Sequence, residues 1–292
     1  MLDEKSLIDI GPLITGESLF DPSNLILKPA PGGCINKCYS WFYGAKEGFI
    51  KLNHIHNSDI FKKEILGLEL LNSSGIETPI NLSYIQSCKF ACLSMDLIKS
   101  SLPNKRFWED FARQLSLLHK HISEEFGLDH DNYIGSINQT NRKDKDWVNF
   151  FWNNRIEPLL EKAFDQHLID RNLVLSFERF INESRAIFPI ETPSLLHGDL
   201  WSGNFICTTK KELVLIDPAV YFGHREMELA FTCLFGGFDS VFYEAYQNNS
   251  PLEKGFWNRK DYYNLYPLLV HLLLFGRSYL NQILSILNPF RV

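Results

Sequence analysis

An apolar run long enough for a bilayer helix, about 18 residues or more, does not occur in this chain of 292 residues. The nearest candidate, Leu268 to Gly276, is short and interrupted by His271. A membrane span is therefore excluded. Basic clustering is also missing. The net charge is −6, and no block of roughly five or six basic residues exists. Nucleic acid is not the expected partner. The opening residues Met1-Leu2-Asp3-Glu4-Lys5 lack the basic and apolar regions of a secretory leader. A cytoplasmic location is expected, where the cysteines Cys34, Cys38, Cys88, Cys92, Cys207 and Cys233 stay reduced. Cys34/Cys38 and Cys88/Cys92 lack the tight knuckles of a four-cysteine zinc site. There is no internal repeat and no low-complexity segment. What is present is a globular composition, 45% hydrophobic and 22% charged, on a chain long enough to bury a sizeable core.

The pattern changes once along the chain. Lys37 to Tyr43 and Phe49 to Asn53 are β-rich runs around Gly44-Ala45-Lys46-Glu47-Gly48, which predicts a hairpin loop. Ser58 to Asn72 predicts a helix, with Ser58 as its cap and Ile60, Phe61, Ile65, Leu68 and Leu71 as its apolar stripe. Strands are expected over Leu82–Gln86 and Phe90–Ile98. The turn-rich stretch Ser100-Ser101-Leu102-Pro103-Asn104 predicts a linker. Beyond it, helices are expected over Phe107–His121, Trp147–His167 and Asn172–Ile187. A short β insertion follows from Leu195 to Asp217. From Glu226 onward the pattern is helical, broken at Pro251, Pro267 and Pro289. This is an α+β chain with a mainly β lobe over residues 1–98, a linker over 99–104 and a mainly α lobe over 105–292.

Chemistry concentrates in His197-Gly198-Asp199-Leu200-Trp201-Ser202-Gly203-Asn204, followed by Ile216-Asp217-Pro218. Asp199 and Asn204 have the spacing of the D-x-x-x-x-N catalytic loop of kinases. Phosphoryl transfer needs a carboxylate to orient the attacking hydroxyl and accept its proton, and oxygen ligands for Mg²⁺. A hairpin centred between Lys210 and Lys211 would set Asn204 opposite Asp217, about 4.5–5.5 Å apart. Upstream, Gly32 and Gly33 would let backbone N–H groups approach phosphates. Lys51 lies in the apolar strand Phe49-Ile50-Lys51-Leu52. Glu64 shares the buried helix stripe and needs a partner there; Lys51 is the natural one. A strand lysine held by a helix glutamate is the kinase device for gripping the α- and β-phosphates.

These segments resemble one family. Gly32-Gly33-Cys34-Ile35-Asn36, Phe49-Ile50-Lys51, Leu195 to Asn204, Asp217-Pro218-Ala219 and Leu234-Phe235-Gly236-Gly237-Phe238 look like the fructosamine kinases. That family is similar in fold to aminoglycoside phosphotransferases and, more remotely, to protein kinases. The resemblance implies a bilobal protein-kinase-like fold. A small antiparallel β lobe carries one key helix, and a larger α lobe carries a catalytic β-hairpin. It implies a kinase that uses ATP and Mg²⁺ to phosphorylate the 3-hydroxyl of ketosamines, free or on proteins, after which the sugar leaves the amine. The chain would work as a monomer or homodimer.

By the same resemblance Asp199 is the base, Asn204 and Asp217 are metal ligands, Lys51 contacts the phosphates and Glu64 orients it. Gly32, Gly33, Cys34, Ile35 and Asn36 cover the phosphates, and Met95, Asp96 and Leu97 form the adenine hinge. Oxidation of Cys34 in that loop is expected to block ATP. Trp201 packs on the sugar or, alternatively, between the lobes. His224, Arg225 and Glu226 line the acceptor cleft; for Arg225 and Glu226 an internal ion pair is an equal alternative. Gly198 stands where a protein kinase has arginine, and no Ala-Pro-Glu segment follows Asp217. The acceptor is then a small molecule or an exposed adduct rather than a threaded peptide. The rival readings are a kinase of the aminoglycoside or choline type and a catalytically silent nucleotide-binding scaffold.

Overall fold

A helix the sequence pattern does not announce, α1 (Glu4–Thr15), starts the chain and covers one face of the small lobe through Ile10. Gly11 and Pro12 lie inside it, and both residue types oppose helix interiors. Gly11 has a local reason, since a Cβ there would meet the Phe20 ring at 2.0 Å. The computed structural model describes residues 4–30 and 35–291. Of the expected phosphate-covering residues, Gly32, Gly33 and Cys34 lie outside them.

The small lobe continues with β1 (Leu25–Pro29), β2 (Lys37–Tyr43), β3 (Lys46–His54), α2 (Ser58–Ser73), β4 (Ser83–Gln86) and β5 (Phe90–Met95). The strands form one antiparallel sheet in the order β1-β2-β3-β5-β4. β1 is not among the expected strands; it is an edge strand that ends on Pro29, where a missing N–H is tolerated. The hairpin between β2 and β3 is tighter than expected. Tyr43 pairs with Lys46, so only Gly44 and Ala45 turn. Gly48 is not a loop residue but sits opposite Trp41, whose indole a Cβ would meet at 2.5 Å. Alternation along β3 divides its side chains between two faces. Ile50 and Leu52 pack with Ile10, Trp41 and Ile85, while Phe49 and Lys51 turn to the α2 side. There Phe61 packs on Ala91, Leu93 and Met95. Ser58 is the first helical residue of α2 rather than its cap.

The large lobe opens with α3 (Lys105–Leu118), capped by Asn104, whose side chain accepts the Phe107 N–H at 2.9 Å. A hairpin absent from the expectations, β6 (Asn132–Ile134) and β7 (Ile137–Gln139), comes next. The single long helix expected over Trp147–His167 is α4 (Trp147–Phe151), a π-helical turn at Trp152–Ile156 and α5 (Glu157–Asp165). Then come α6 (Arg171–Ile187), β8 (Ser194–Leu196), β9 (Phe205–Cys207), β10 (Leu213–Leu215) and β11 (Tyr221–Gly223). The last helices are α7 (Arg225–Thr232), α8 (Ser240–Asn249), α9 (Phe256–Tyr263), α10 (Leu265–Phe275) and α11 (Leu280–Ile286). Pro267 does not break α10 but lies in its first turn, where its missing N–H has no partner to lose. One aromatic-rich core runs from α3 to Phe290 and takes in Leu71 of α2 and Ile76 just after it. Among the described residues no helix is long and apolar enough to cross a membrane.

The lobes meet along α2 and the linker. A Cβ on Gly67 of α2 would touch Pro218 Cγ at 3.1 Å. The Leu215 N–H donates to the Glu77 carbonyl at 3.0 Å. In the linker, the Ser101 N–H donates to the Cys207 carbonyl at 2.8 Å, and Lys211 Nζ reaches the Leu102 carbonyl at 2.8 Å.

Candidate active site

The loop after β8 turns sharply at Gly198, whose φ is +84°. A Cβ at Gly198 would lie 2.0 Å from the Ala219 carbonyl oxygen, so the loop and the chain after Asp217 press together. His197 fastens them further. Its Nε2–H donates to the Ile216 carbonyl at 2.8 Å and its Nδ1 accepts the Asp199 N–H at 3.3 Å. Burial lowers the His197 pKa, which suits this neutral tautomer. Asp199 follows directly. Burial, with the Asp217 charge adding to it, pushes the Asp199 carboxyl well above the usual carboxylate range. A raised proton affinity is what a proton acceptor in catalysis needs.

Asn204 lies at the start of β9 and is 5% exposed. Its Nδ2 donates to the Asp199 carbonyl at 2.7 Å and to Asp199 Oδ2 at 2.9 Å. The hairpin register differs from the expected one by a residue. Phe205 pairs with Leu215, so Asn204 faces Ile216, whose N–H donates to it at 3.1 Å. The loop has three residues rather than the four, Thr209 to Glu212, between the expected runs. It is Thr209-Lys210-Lys211, with Lys211 left-handed at φ +65° and Thr208 bonded to Glu212 at 2.9 Å; that is a common hairpin loop. Asp217 is one step further on, and its own left-handed backbone, φ +56°, accompanies a side chain that reaches the cleft. No described residue donates to Asn204 Oδ1. With the Asp217 carboxylate it offers hard oxygen donors of the kind that suit Mg²⁺ shared with substrate phosphates. Among the described residues no set of three His, Cys, Asp or Glu forms a metal cage.

Lys51 and Glu64 are 5% and 8% exposed and meet at 2.5 Å. Lys51 Nζ also contacts Asp217 Oδ1. Burial alone would lower the Lys51 ammonium pKa, but the Asp217 and Glu64 charges outweigh it and raise it. Burial raises the Glu64 carboxyl to about 7 against the pull of Lys51.

These groups line one cleft enclosing about 160 Å³. Ile35, Asn36 and Lys63 line its small-lobe side. Gly135, at the tip of the β6–β7 hairpin, comes so close that a Cβ there would lie 2.7 Å from Ile35 Cδ1. Trp201 forms the opposite wall with His271 and Phe275. Its ring lies over Gly203, where a Cβ would meet it at 2.4 Å, and meets Phe235 edge-on at 6.1 Å. Phe235 in turn packs on His271 at 4.5 Å. Met95 packs inside the small lobe, and Asp96, bonded to Asn81 at 2.9 Å, starts the crossing to the large lobe with Leu97.

His224, Arg225 and Glu226 do not line this cleft, and the sequence expectation is corrected there. β11 carries the chain away from Asp217 before they occur. His224 is fully buried, with Nε2 3.1 Å from the Pro189 carbonyl. Arg225 holds Glu191 with two bonds of 2.9 Å. Glu226, fully buried, takes Arg259 Nε at 2.7 Å and the Tyr263 hydroxyl at 3.1 Å. The ion-pair alternative is the one the structure contains. Tyr133, Gly135, Lys63, His271 and Phe275 line the cleft without having been singled out. His271 did carry a signal: a histidine interrupting an apolar run.

The model of the fructosamine kinases matches residues 20–290. The chain belongs to the fructosamine kinase family. A protein of Enterococcus faecium named probable ketoamine kinase is 35% identical over 266 residues, covering 90% of this chain and 94% of that one. The chloroplastic protein-ribulosamine 3-kinase of Arabidopsis thaliana is 32% identical over 283 residues, covering 89% and 80%. A crystal structure from Haemophilus somnus 129PT, named as a fructosamine-3-kinase candidate, superposes with a TM-score of 0.86 at 27% identity over 98% of this chain and 97% of that one. Aminoglycoside phosphotransferase APH(4)-Ia shares the fold, with a TM-score of 0.60 at 14% identity over 91% of this chain and 94% of that one. This fructosamine kinase relative is thus a phosphotransferase with a hydroxyl acceptor, built on the bilobal kinase-like fold.

Proposed function

We propose that this chain moves the γ-phosphoryl group of ATP to the 3-hydroxyl of a ketosamine, a ribulosamine or fructosamine adduct. The observation that carries the reading is the convergence of Lys51, Glu64, Asp199, Asn204 and Asp217 in one cleft with an aromatic far wall. Asp199 orients the acceptor hydroxyl and takes its proton as the oxygen attacks the γ-phosphorus and ADP leaves. Lys51, held by Glu64, contacts the α- and β-phosphates. Asn204 and Asp217 would hold Mg²⁺, which when bound supplies charge neutralisation for the phosphates. Gly32 to Asn36 cover the phosphates, Met95 to Leu97 hold the adenine, and Trp201 packs on the sugar. The phosphorylated sugar then separates from the amine, which makes the reaction a step in deglycation.

The geometry disfavours an aminoglycoside acceptor. A polycation needs free carboxylates, whereas Glu64 and Asp217 share Lys51, and Lys63 adds a cation to the wall. The test is ATP consumption with ribulose-lysine, fructose-lysine and a free aminoglycoside, beside Asp199→Asn. Ketosamine turnover that vanishes in the variant is the expected result. Turnover on the aminoglycoside alone would discard the substrate reading and keep the fold. A thermal shift with ATP and Mg²⁺ but no turnover on any acceptor would favour the silent scaffold.

A further inference from the structure

Lys63 on α2 is a half-buried cation that lines the same cleft as Asp199. Among the described residues it makes no ion pair and no hydrogen bond. The carboxylates nearby are engaged elsewhere. Glu64 holds Lys51. Asp59, one helical turn before Lys63, accepts the Tyr133 hydroxyl at 3.3 Å. Asp129 pairs with Lys143, and Asp131 accepts the Asn141 N–H at 2.8 Å. Between these two lies His130, whose Nε2 is buried without a partner among the described residues. Burial first, and then the Lys63 charge, lower the His130 pKa. The ring stays neutral and offers Lys63 no counter-charge.

Successive residues of a helix are turned about 100° apart. Glu64 points from α2 to Lys51, so Lys63 points elsewhere, toward the β6–β7 hairpin and the large lobe that carries Asp199. The nucleotide phosphates have Lys51 and the metal ligands to meet them, and the charge left over is that of Lys63. A ketosamine gives it no anion from the sugar. Its secondary amine is a cation at neutral pH, which Lys63 repels. A carboxylate on the carbon next to that nitrogen reverses the balance, cancelling the amine charge and pairing with Lys63. We infer that Lys63 is a specificity-determining residue, which selects ketosamines of amino acids with a carboxylate beside the glycated nitrogen over ketosamines of uncharged carriers. The inference deepens the kinase reading above and rests on it. Attraction of the one acceptor and repulsion of the other both contribute to the choice.

Ribulose-glycine and ribulose-glycinamide have nearly the same size and differ in charge, so the ratio of their kcat/KM values reads the selection. The expected parent ratio is about tenfold in favour of the glycine adduct, the size of one charge-assisted contact. Lys63→Met keeps the side-chain stem and is expected to bring the ratio within about twofold of one. Lys63→Glu is expected to invert it, favouring the glycinamide adduct. Equal use of the two adducts by the parent overturns the proposal, as does a preference that survives in Lys63→Met. A preference lost together with a raised KM for ATP assigns Lys63 to the nucleotide and overturns it too. Ribulose-lysine and Asp199→Asn are run alongside. Turnover of ribulose-lysine with none on either glycine adduct overturns this proposal alone, whereas no turnover on any ketosamine locates the failure in the kinase reading.

Discussion

Asp199 accepts the Asn204 amide through its side chain and its carbonyl. Asp199→Asn keeps the shape and removes the proton acceptor. Turnover is expected to fall by about 10²–10⁴-fold, while ATP still raises the melting temperature; titration calorimetry and steady-state rates check both. Gly203 offers a different handle, because Trp201 occupies the place of its missing side chain. Gly203→Ala is expected to push the indole off the cleft wall and raise KM for the ketosamine about tenfold, equivalent to roughly 1.4 kcal/mol of lost contact. KM for ATP stays as it was. An unchanged ketosamine KM would show that the indole does not touch the sugar. The chemical residues were legible because they are contiguous or paired by periodicity: Asp199 and Asn204 in one loop, Glu64 on a buried stripe. Tyr133 was not, since only the folded chain brings its distant segment to the cleft, and His271 was marked only as a break in an apolar run. Arg225 and Glu226 misled for the converse reason, being near Asp217 in sequence and remote from it in space.

At the level of elements, the π-helical turn between α4 and α5 gives Arg155 its place. Its side chain is fully buried between the Phe150 and Tyr221 rings, 4.7 and 4.0 Å from their centroids, and has no carboxylate partner among the described residues. It donates to Asn141 Oδ1 at 2.8 Å and to the Thr140 carbonyl. Asn141 bonds Asn132, and Asn132 and Gln139 bond the carbonyls of Val220 and Ala219. Arg155 therefore anchors the β6–β7 hairpin to the chain after Asp217. Arg155→Met is expected to cost about 2–5 kcal/mol of stability by orphaning these acceptors. A denaturation midpoint equal to the parent's would refute that. Neither the π turn nor the hairpin was visible in sequence, because a smooth apolar period masks one inserted residue and three-residue strands carry almost no pattern. α1 was hidden by Gly11-Pro12, and the tight β2–β3 turn by Gly48. Long amphipathic helices such as α2, α3 and α6 were legible, with ends displaced by a few residues.

For the whole molecule, the far end of α7 is a structural hub apart from the chemistry. Arg225→Ala strands Glu191, and Glu226→Gln weakens the hold on Arg259. Glu226→Gln is expected to lower stability by about 3–5 kcal/mol, the cost of breaking a buried pair, and Arg225→Ala, at a half-buried pair, by less, with kcat and KM of the folded fraction unchanged. A changed ketosamine KM in Arg225→Ala would return that residue to the acceptor site.

Gly67 against Pro218, Tyr133 bonded to Asp59 at 3.3 Å and Leu215 bonded to Glu77 all join the lobes along one line, at α2 and the turn that follows it. The molecule is bound like a book along that spine. Its pages are the outer strands of the sheet, and on the proposed kinase reading nucleotide is expected to exchange by a lifting of their free margin while the bound edge stays shut. A covalent staple across the spine would then leave turnover intact, whereas one tying the outer strands to the large lobe would trap whatever lies between the covers.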